Sequence, residues 1–158
     1  MKYGPFLLIK VFMEIKDKVI VITGAAQGLG KNFALDLAIR GAKLALADIN
    51  QELLEEVRKT CEQAGTEARA YDLNVAEEKA VEDFFDQAVS DFGTVDVLIN
   101  NAGITRDGLI ARSKDGEIRK MSLANWQAVI DVNLTGSFLC GREFFVKLLE
   151  QKKPGVCI

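Results

Sequence analysis

At 158 residues, 49% of them hydrophobic and 27% charged, the chain is long enough for one domain with a sizeable core, and its composition is ordinary for a globular α/β protein. A net charge of −3 gives no electrostatic case for nucleic acid or an anionic membrane as partner. The lack of histidine excludes His-based triads and most catalytic zinc sites, and no metal site is expected; Cys61, Cys140 and Cys157, with no C-x-x-C spacing, read as reduced thiols of a cytoplasmic protein.

Residues 1–12, MKYGPFLLIKVF, are basic and then apolar. Lys10 interrupts the apolar run and no small-residue cleavage site follows, which argues against a signal peptide. No run of about 20 apolar residues exists to span a bilayer. The segment is expected to be a poorly ordered N-terminal extension, with one domain over 13–158.

The first strong pattern is an apolar strand over 19–23 that stops at Thr23-Gly24-Ala25-Ala26-Gln27-Gly28-Leu29-Gly30, followed by a helix over 29–39 that Gly41 ends. A strand, a glycine turn and a helix start in that order make an anion site: helix N–H groups and the dipole favour negative charge, and absent Cβ atoms let a pyrophosphate approach. A triphosphatase loop is excluded, because Gly30-Lys31 is followed by Asn32 and the position of the first required glycine is Ala25. A glycine turn that binds nothing would use the same residues. The second strand, 44–48, ends in Asp48, eighteen residues after Gly30. A carboxylate there can accept hydrogen bonds from an adenosine ribose and repels a 2′-phosphate. Gln27 and Ile49 beside it bring no cation, so the expected cofactor is NAD, with NADH preferred over NADPH. The alternative for Asp48 is a solvated loop acid.

Asn50 can cap a helix over 51–63, closed by Gly65. A third strand over 67–71, a helix over 77–91 ended by Gly93 and a fourth strand over 95–100 complete an alternation that predicts βαβ units. The expected fold is an α/β, Rossmann-type doubly wound parallel sheet with strand order 3-2-1-4 and a fifth strand begun at the chain's end. Asn100-Asn101-Ala102-Gly103 then falls at the switch point beside the glycine turn, although Asn and Gly also make ordinary turns. The Asp-Gly within 113–120 suggests a hairpin, read as solvated rather than substrate-contacting. A long helix over 124–151 is apolar on more than one side, so it should be buried against the sheet on one side and against a partner helix on the other. Asn133 is a poor residue for its interior, and a kink or a buried amide would explain it.

The T-G-x-x-x-G-x-G of Thr23–Gly30 and the N-N-A-G of 100–103 resemble the short-chain dehydrogenase/reductase family without substitution. Asp72-Leu73 stands where that family places an acid near the adenine ring, Val132-Asn133-Leu134-Thr135-Gly136 is similar to its segment carrying a catalytic Asn, and Ile104-Thr105-Arg106-Asp107 resembles its 3-oxoacyl-acyl-carrier-protein reductase branch. The resemblance implies a cofactor site of Thr23, Gly24, Gln27, Gly28, Leu29, Gly30, Asp48, Ile49, Asp72, Leu73, Asn100, Ala102 and Gly103, with Asn133 holding a water in a proton relay. It implies NAD(H)-dependent interconversion of a ketone and a secondary alcohol, with a 3-oxoacyl thioester as the leading substrate class. It also implies a homodimer or homotetramer through the helices 77–91 and 124–151, although those apolar faces could equally pack within one chain. One departure stands out. The family's Tyr-x-x-x-Lys is missing: the tyrosines are Tyr3 and Tyr71, and four residues on stand Leu7 and Val75. The catalytic Ser, Tyr and Lys are expected beyond Ile158, so the chain alone is expected not to turn over; the alternative is a dinucleotide-binding or assembly module with no catalysis.

Overall fold

The structure is a computed structural model and describes residues 14–114 and 116–158; the expected N-terminal extension lies outside them. The strand β1 (Val19–Thr23) is buried at every position, which is why its sequence is a continuous apolar run rather than an alternating one. Its side chains still alternate between two layers. Val19 and Val21 join Ala45 and Ala47 on one face, and Ile20 and Ile22 join Leu44 and Leu46 on the other.

In chain order, β1 is followed by α1 (Gly28–Ile39), β2 (Lys43–Asp48), α2 (Gln51–Gln63), β3 (Ala68–Asp72), α3 (Glu78–Phe92) and β4 (Val97–Ile99). The hairpin strands β5 (Ala111–Lys114) and β6 (Glu117–Lys120) come next, then α4 (Leu123–Ile130), a π-helical turn (Asp131–Gly136), α5 (Ser137–Glu150) and β7 (Val156–Cys157). The central sheet is parallel with order β3-β2-β1-β4-β7, as the alternation predicts, and β5 and β6 form a separate antiparallel pair. Ala34 and Ala38 of α1 and Leu54, Val57 and Cys61 of α2 cover one face of the sheet. Val81, Phe84, Phe85 and Ala88 of α3 and Leu139, Cys140, Phe144 and Leu148 of α5 cover the other. The small alanines of α1 let that helix lie close on the sheet and bring its N-terminus to the end of β1.

The chain's last residues are tied to its first strand. Asp96 accepts from the Val19 N–H at 2.8 Å and pairs with Lys153 at 2.5 Å, while the Val156 N–H donates to the Asp96 carbonyl at 3.1 Å. The fourth strand is shorter than the expected 95–100, yet its ladder continues past both ends: Asp96 N–H donates to the Val19 carbonyl and Asn100 N–H to that of Ile158.

The single helix expected over 124–151 is three pieces. At the π-helical turn the Asn133 side chain leaves the helix to bond a neighbouring loop, and its carbonyl accepts from the Ser137 hydroxyl at 3.0 Å. A polar insertion of this kind is a usual cause of a local change of helix pitch. Only one side of the segment is covered. Leu139, Cys140, Phe144 and Leu148 are buried, whereas Trp126, Leu134, Phe138, Phe145 and Leu149 are exposed along the other side. The expected burial on both sides therefore holds for one side in the single chain.

The adjacent phenylalanines separate the two sides. Phe144 is fully buried and Phe145 is 51% exposed. In urea unfolding of the monomer, Phe144→Ala is expected to cost about 3–5 kcal/mol and Phe145→Ala less than about 1 kcal/mol.

Candidate functional site

The turn after β1 lies against the segment after β4, and this contact makes the site. Gly24 has φ +66°, and a Cβ on it would stand 2.8 Å from the Ala102 Cα. A Cβ on Gly30 would fall on the Gly24 carbonyl oxygen and lie 2.6 Å from the Asn101 Nδ2. Only glycine fits at either position. The approach is then fastened by hydrogen bonds. The buried Thr23 hydroxyl accepts from the backbone N–H of Asn101 and of Ala102, both at 3.1 Å. The Asn101 amide donates to the carbonyls of Thr23 and Gly24, both at 3.0 Å.

Beyond this knot opens a cleft of about 480 Å³, at the carboxyl ends of the strands. This is the place where open α/β sheets bind ligands. Its walls include Gly24, Gln27, Gly28, Leu29, Asp48, Ile49, Leu73, Ala102 and Gly103 of the residues expected from sequence. Thr23 and Gly30 stand beneath the turn and shape it. Asp72 lies outside the walls: it sits opposite Asp48 in the β2–β3 ladder and accepts from the Gln51 amide at 2.6 Å. Asn100 also lies outside them and faces β7, its amide 3.5 Å from the Cys157 sulfur. Asn133 is placed behind the wall. It accepts from the Ile104 N–H at 2.8 Å and donates to the Ile104 carbonyl at 3.0 Å, clamping the loop that leaves Gly103.

Asn50, Asn74, Val75, Asn101, Ile104 and Val132 complete the walls and were not expected there. Asn101 carried a signal, since it lies inside the N-N-A-G stretch. Val75 and Val132 carried none, because their place depends on Gly136, where a Cβ would be 2.7 Å from Val75 Cγ2. That close approach seats the π-helical turn against the loop after β3.

The electrostatics of the cleft suit a ligand with a pyrophosphate at one point and hydroxyls at another. The helix α1 has no side-chain cap at Gln27 and no acid in its first turn, so its N–H groups and dipole face the cleft uncompensated. By contrast α2 and α4 are capped by Asn50 and Ser122. The Asp48 carboxylate accepts from the Ala26 N–H at 3.0 Å and the Asn50 N–H at 2.9 Å, which fixes its orientation and leaves further lone pairs for a ligand. No thiolate is available in the core: burial pushes the Cys61 thiol up to about 11 and the Cys140 thiol up to about 12.

Residues 18–158 match the short chain dehydrogenase family. The chain belongs to that family. It is 40% identical over 144 residues to the 3-oxoacyl-[acyl-carrier-protein] reductase FabG of Thermotoga maritima, covering 91% of this chain and 55% of that protein. It is 36% identical over 145 residues to the protein of the same name from Staphylococcus epidermidis, covering 89% and 54%. Among solved structures it is similar to an NAD+-bound xylitol dehydrogenase, with TM-score 0.78 and 33% identity over 91% of this chain and 53% of that one. A short chain dehydrogenase from Burkholderia phymatum in complex with NAD gives TM-score 0.80 at 33% identity, over 92% and 49%. The chain spans about half the length of the curated relatives it matches. The family's Rossmann-type sheet is the fold seen here, and no helix among the described residues is long and apolar enough to cross a membrane.

The knot at Thr23 makes a defined prediction for this chain. Thr23→Val removes the acceptor of two backbone N–H groups at almost constant shape. It is expected to destabilise the chain by about 2–4 kcal/mol in urea unfolding, beyond any loss of packing.

Proposed function

We propose that this chain supplies the dinucleotide site of a cytoplasmic, NAD(H)-dependent oxidoreductase that interconverts a ketone and a secondary alcohol, with a 3-oxoacyl thioester as substrate class. The observation that carries this reading is the oriented Asp48 carboxylate at the end of β2, in one cleft with the uncapped start of α1. In this reading the turn of Thr23, Gly24, Gln27, Gly28, Leu29 and Gly30 holds the pyrophosphate by its N–H groups. Asp48 accepts from the adenosine ribose hydroxyls, with Ile49 beside it, and its charge rejects a 2′-phosphate. Leu73 bounds the adenine, and Ala102 and Gly103 border the nicotinamide-side ribose, while Asp72 and Asn100, outside the walls, stay with Gln51 and β7. Asn133 belongs to the proton relay. The nicotinamide, when bound, supplies the hydride chemistry; the chain's share is orientation and electrostatics. The substrate class rests on the likeness to the two 3-oxoacyl reductases.

A second reading, binding without turnover by these 158 residues alone, is favoured by one observation. Tyr71 is half-buried, donates its hydroxyl proton to the Asp91 carboxylate at 2.8 Å, and is held far above the ordinary phenol range by burial and by that carboxylate. It has no lysine four residues on, and it is no proton donor for a substrate. The chain is expected to bind NADH at least tenfold more tightly than NADPH, followed by Trp126 fluorescence, and to leave NADH unoxidised when a 3-oxo ester is added. Asp48→Asn is expected to narrow the preference. Equal affinities in the parent chain would overturn the role given to Asp48, and oxidation of NADH would overturn the binding-only reading.

The exposed row of Trp126, Leu134, Phe138, Phe145 and Leu149 is the face through which we place the contact between copies, as a dimer or tetramer. Light scattering should show an oligomer that Phe138→Glu with Leu149→Glu shifts towards the monomer. A monodisperse monomer of the parent chain at tens of micromolar would remove this assignment.

A further inference from the structure

Beside the nucleotide cleft lies a second one, about 610 Å³, between the β5–β6 hairpin, the loop that precedes it and the start of α4. Four cations line it: Arg106, Arg112, Arg119 and Lys120. Among the described residues, the one carboxylate in its walls is Asp107. In a chain of net charge −3 this is a strong local reversal of sign.

The hairpin register makes the cluster costly. Arg112 stands directly opposite Arg119 in the antiparallel pair. Like charges at such positions destabilise a hairpin. Glu117, 3.2 Å from Arg119, offsets part of this repulsion, and both groups of that pair are exposed. Among the described residues no ion pair is made by Arg106, Arg112 or Lys120. Ser122 and Asn125 bring the N-terminal end of α4 into the same cleft; the Ser122 hydroxyl caps the Asn125 N–H, so the charge of the cleft is that of its side chains.

We propose that this cleft is an anion site, separate from the nucleotide cleft, for a small organic molecule bearing a phosphate or diphosphate. The guanidinium forks of Arg112 and Arg119, on one face of the hairpin, with Arg106 in the same wall, suit a group of charge −2 or more, with bidentate bonds to its oxygens. A bound phosphate relieves the Arg112–Arg119 repulsion, so binding and hairpin stability reinforce each other. The overall negative charge disfavours a long polyanion, while one or two phosphates within a Debye length feel mainly the local cluster. The organic part has apolar surface to lie on: Leu109 is in the wall and 68% exposed. The site also lies close to the nucleotide cleft. Ile104 lines that cleft and Arg106 lines this one, and two residues of extended chain span about 7 Å. A ligand anchored here by its phosphate reaches the neighbouring cleft with its other end.

The test is calorimetric titration of the whole chain with inorganic pyrophosphate at low salt, in the parent and in Arg112→Gln/Arg119→Gln. The double variant removes a repulsion from an exposed hairpin, so it should fold at least as well, which thermal unfolding checks. Saturable binding that weakens tenfold or more in the double variant, with NADH affinity unchanged within twofold, is the expected result. Equal pyrophosphate affinity in both proteins would assign the anion to the glycine turn and overturn the proposal, as would no saturable binding. Cosedimentation with vesicles of phosphatidylcholine and phosphatidylserine, without pyrophosphate binding, would replace the small phosphate with a lipid surface. The outcome is independent of the dinucleotide reading: a chain that binds no NADH can still show the arginine-dependent site.

Discussion

Everything functional in this chain depends on how closely two backbones approach at the carboxyl end of the sheet. The turn after β1 and the segment after β4 come together because Gly24 and Gly30 have no Cβ to hold them apart, and Thr23 and Asn101 turn the proximity into hydrogen bonds. Steric permission alone would leave buried polar backbone unpaired; the hydroxyl and the amide supply the partners. The result is a rigid floor, and the cleft is what remains above it.

Around that floor the layers divide the labour. Alanines on α1 let the helix lie close on the sheet and deliver an uncapped N-terminus to the cleft. Aromatic and branched residues on α3 and α5 fill the opposite face. The same α5 carries an exposed apolar row on its far side, so one segment both fills the core and presents apolar surface to solvent. The ties from Asp96 to Val19 and Lys153 hold the final strand to the first, making the sheet one unit from β3 to β7.

The π-helical turn is the place where local preference yields to tertiary demand. A regular helix would carry the Asn133 side chain along its own surface. Here it is spent on both backbone groups of Ile104, and Gly136 lets the turn press on Val75. Two loops distant in sequence are thereby fixed to one another, and both line the cleft. The hairpin next door shows the opposite case: Arg112 and Arg119 keep a repulsive register that Glu117 offsets only in part.

Much of this was legible in the residues alone. Strand order, the glycine turn, the acid closing β2 and the position of 100–103 follow from periodicity and spacing, because parallel βαβ units leave few ways to connect. The lengths of β4 and of the long helix differ from what the spacing predicts for a common reason: each is set by partners far away in the chain. Asp96 is recruited to the start of β1, and Asn133 to Ile104. Asp72 and Asn100 stand at the right ends of their strands, yet their side chains turn to Gln51 and Cys157, a choice that belongs to neighbours and not to spacing. Sequence by itself determined the layers and the order of the strands, since burial and chirality act on local pattern. Only the tertiary structure decided which side chains meet in the cleft, because hydrogen bonds and close contacts between distant segments exist only once the layers have closed.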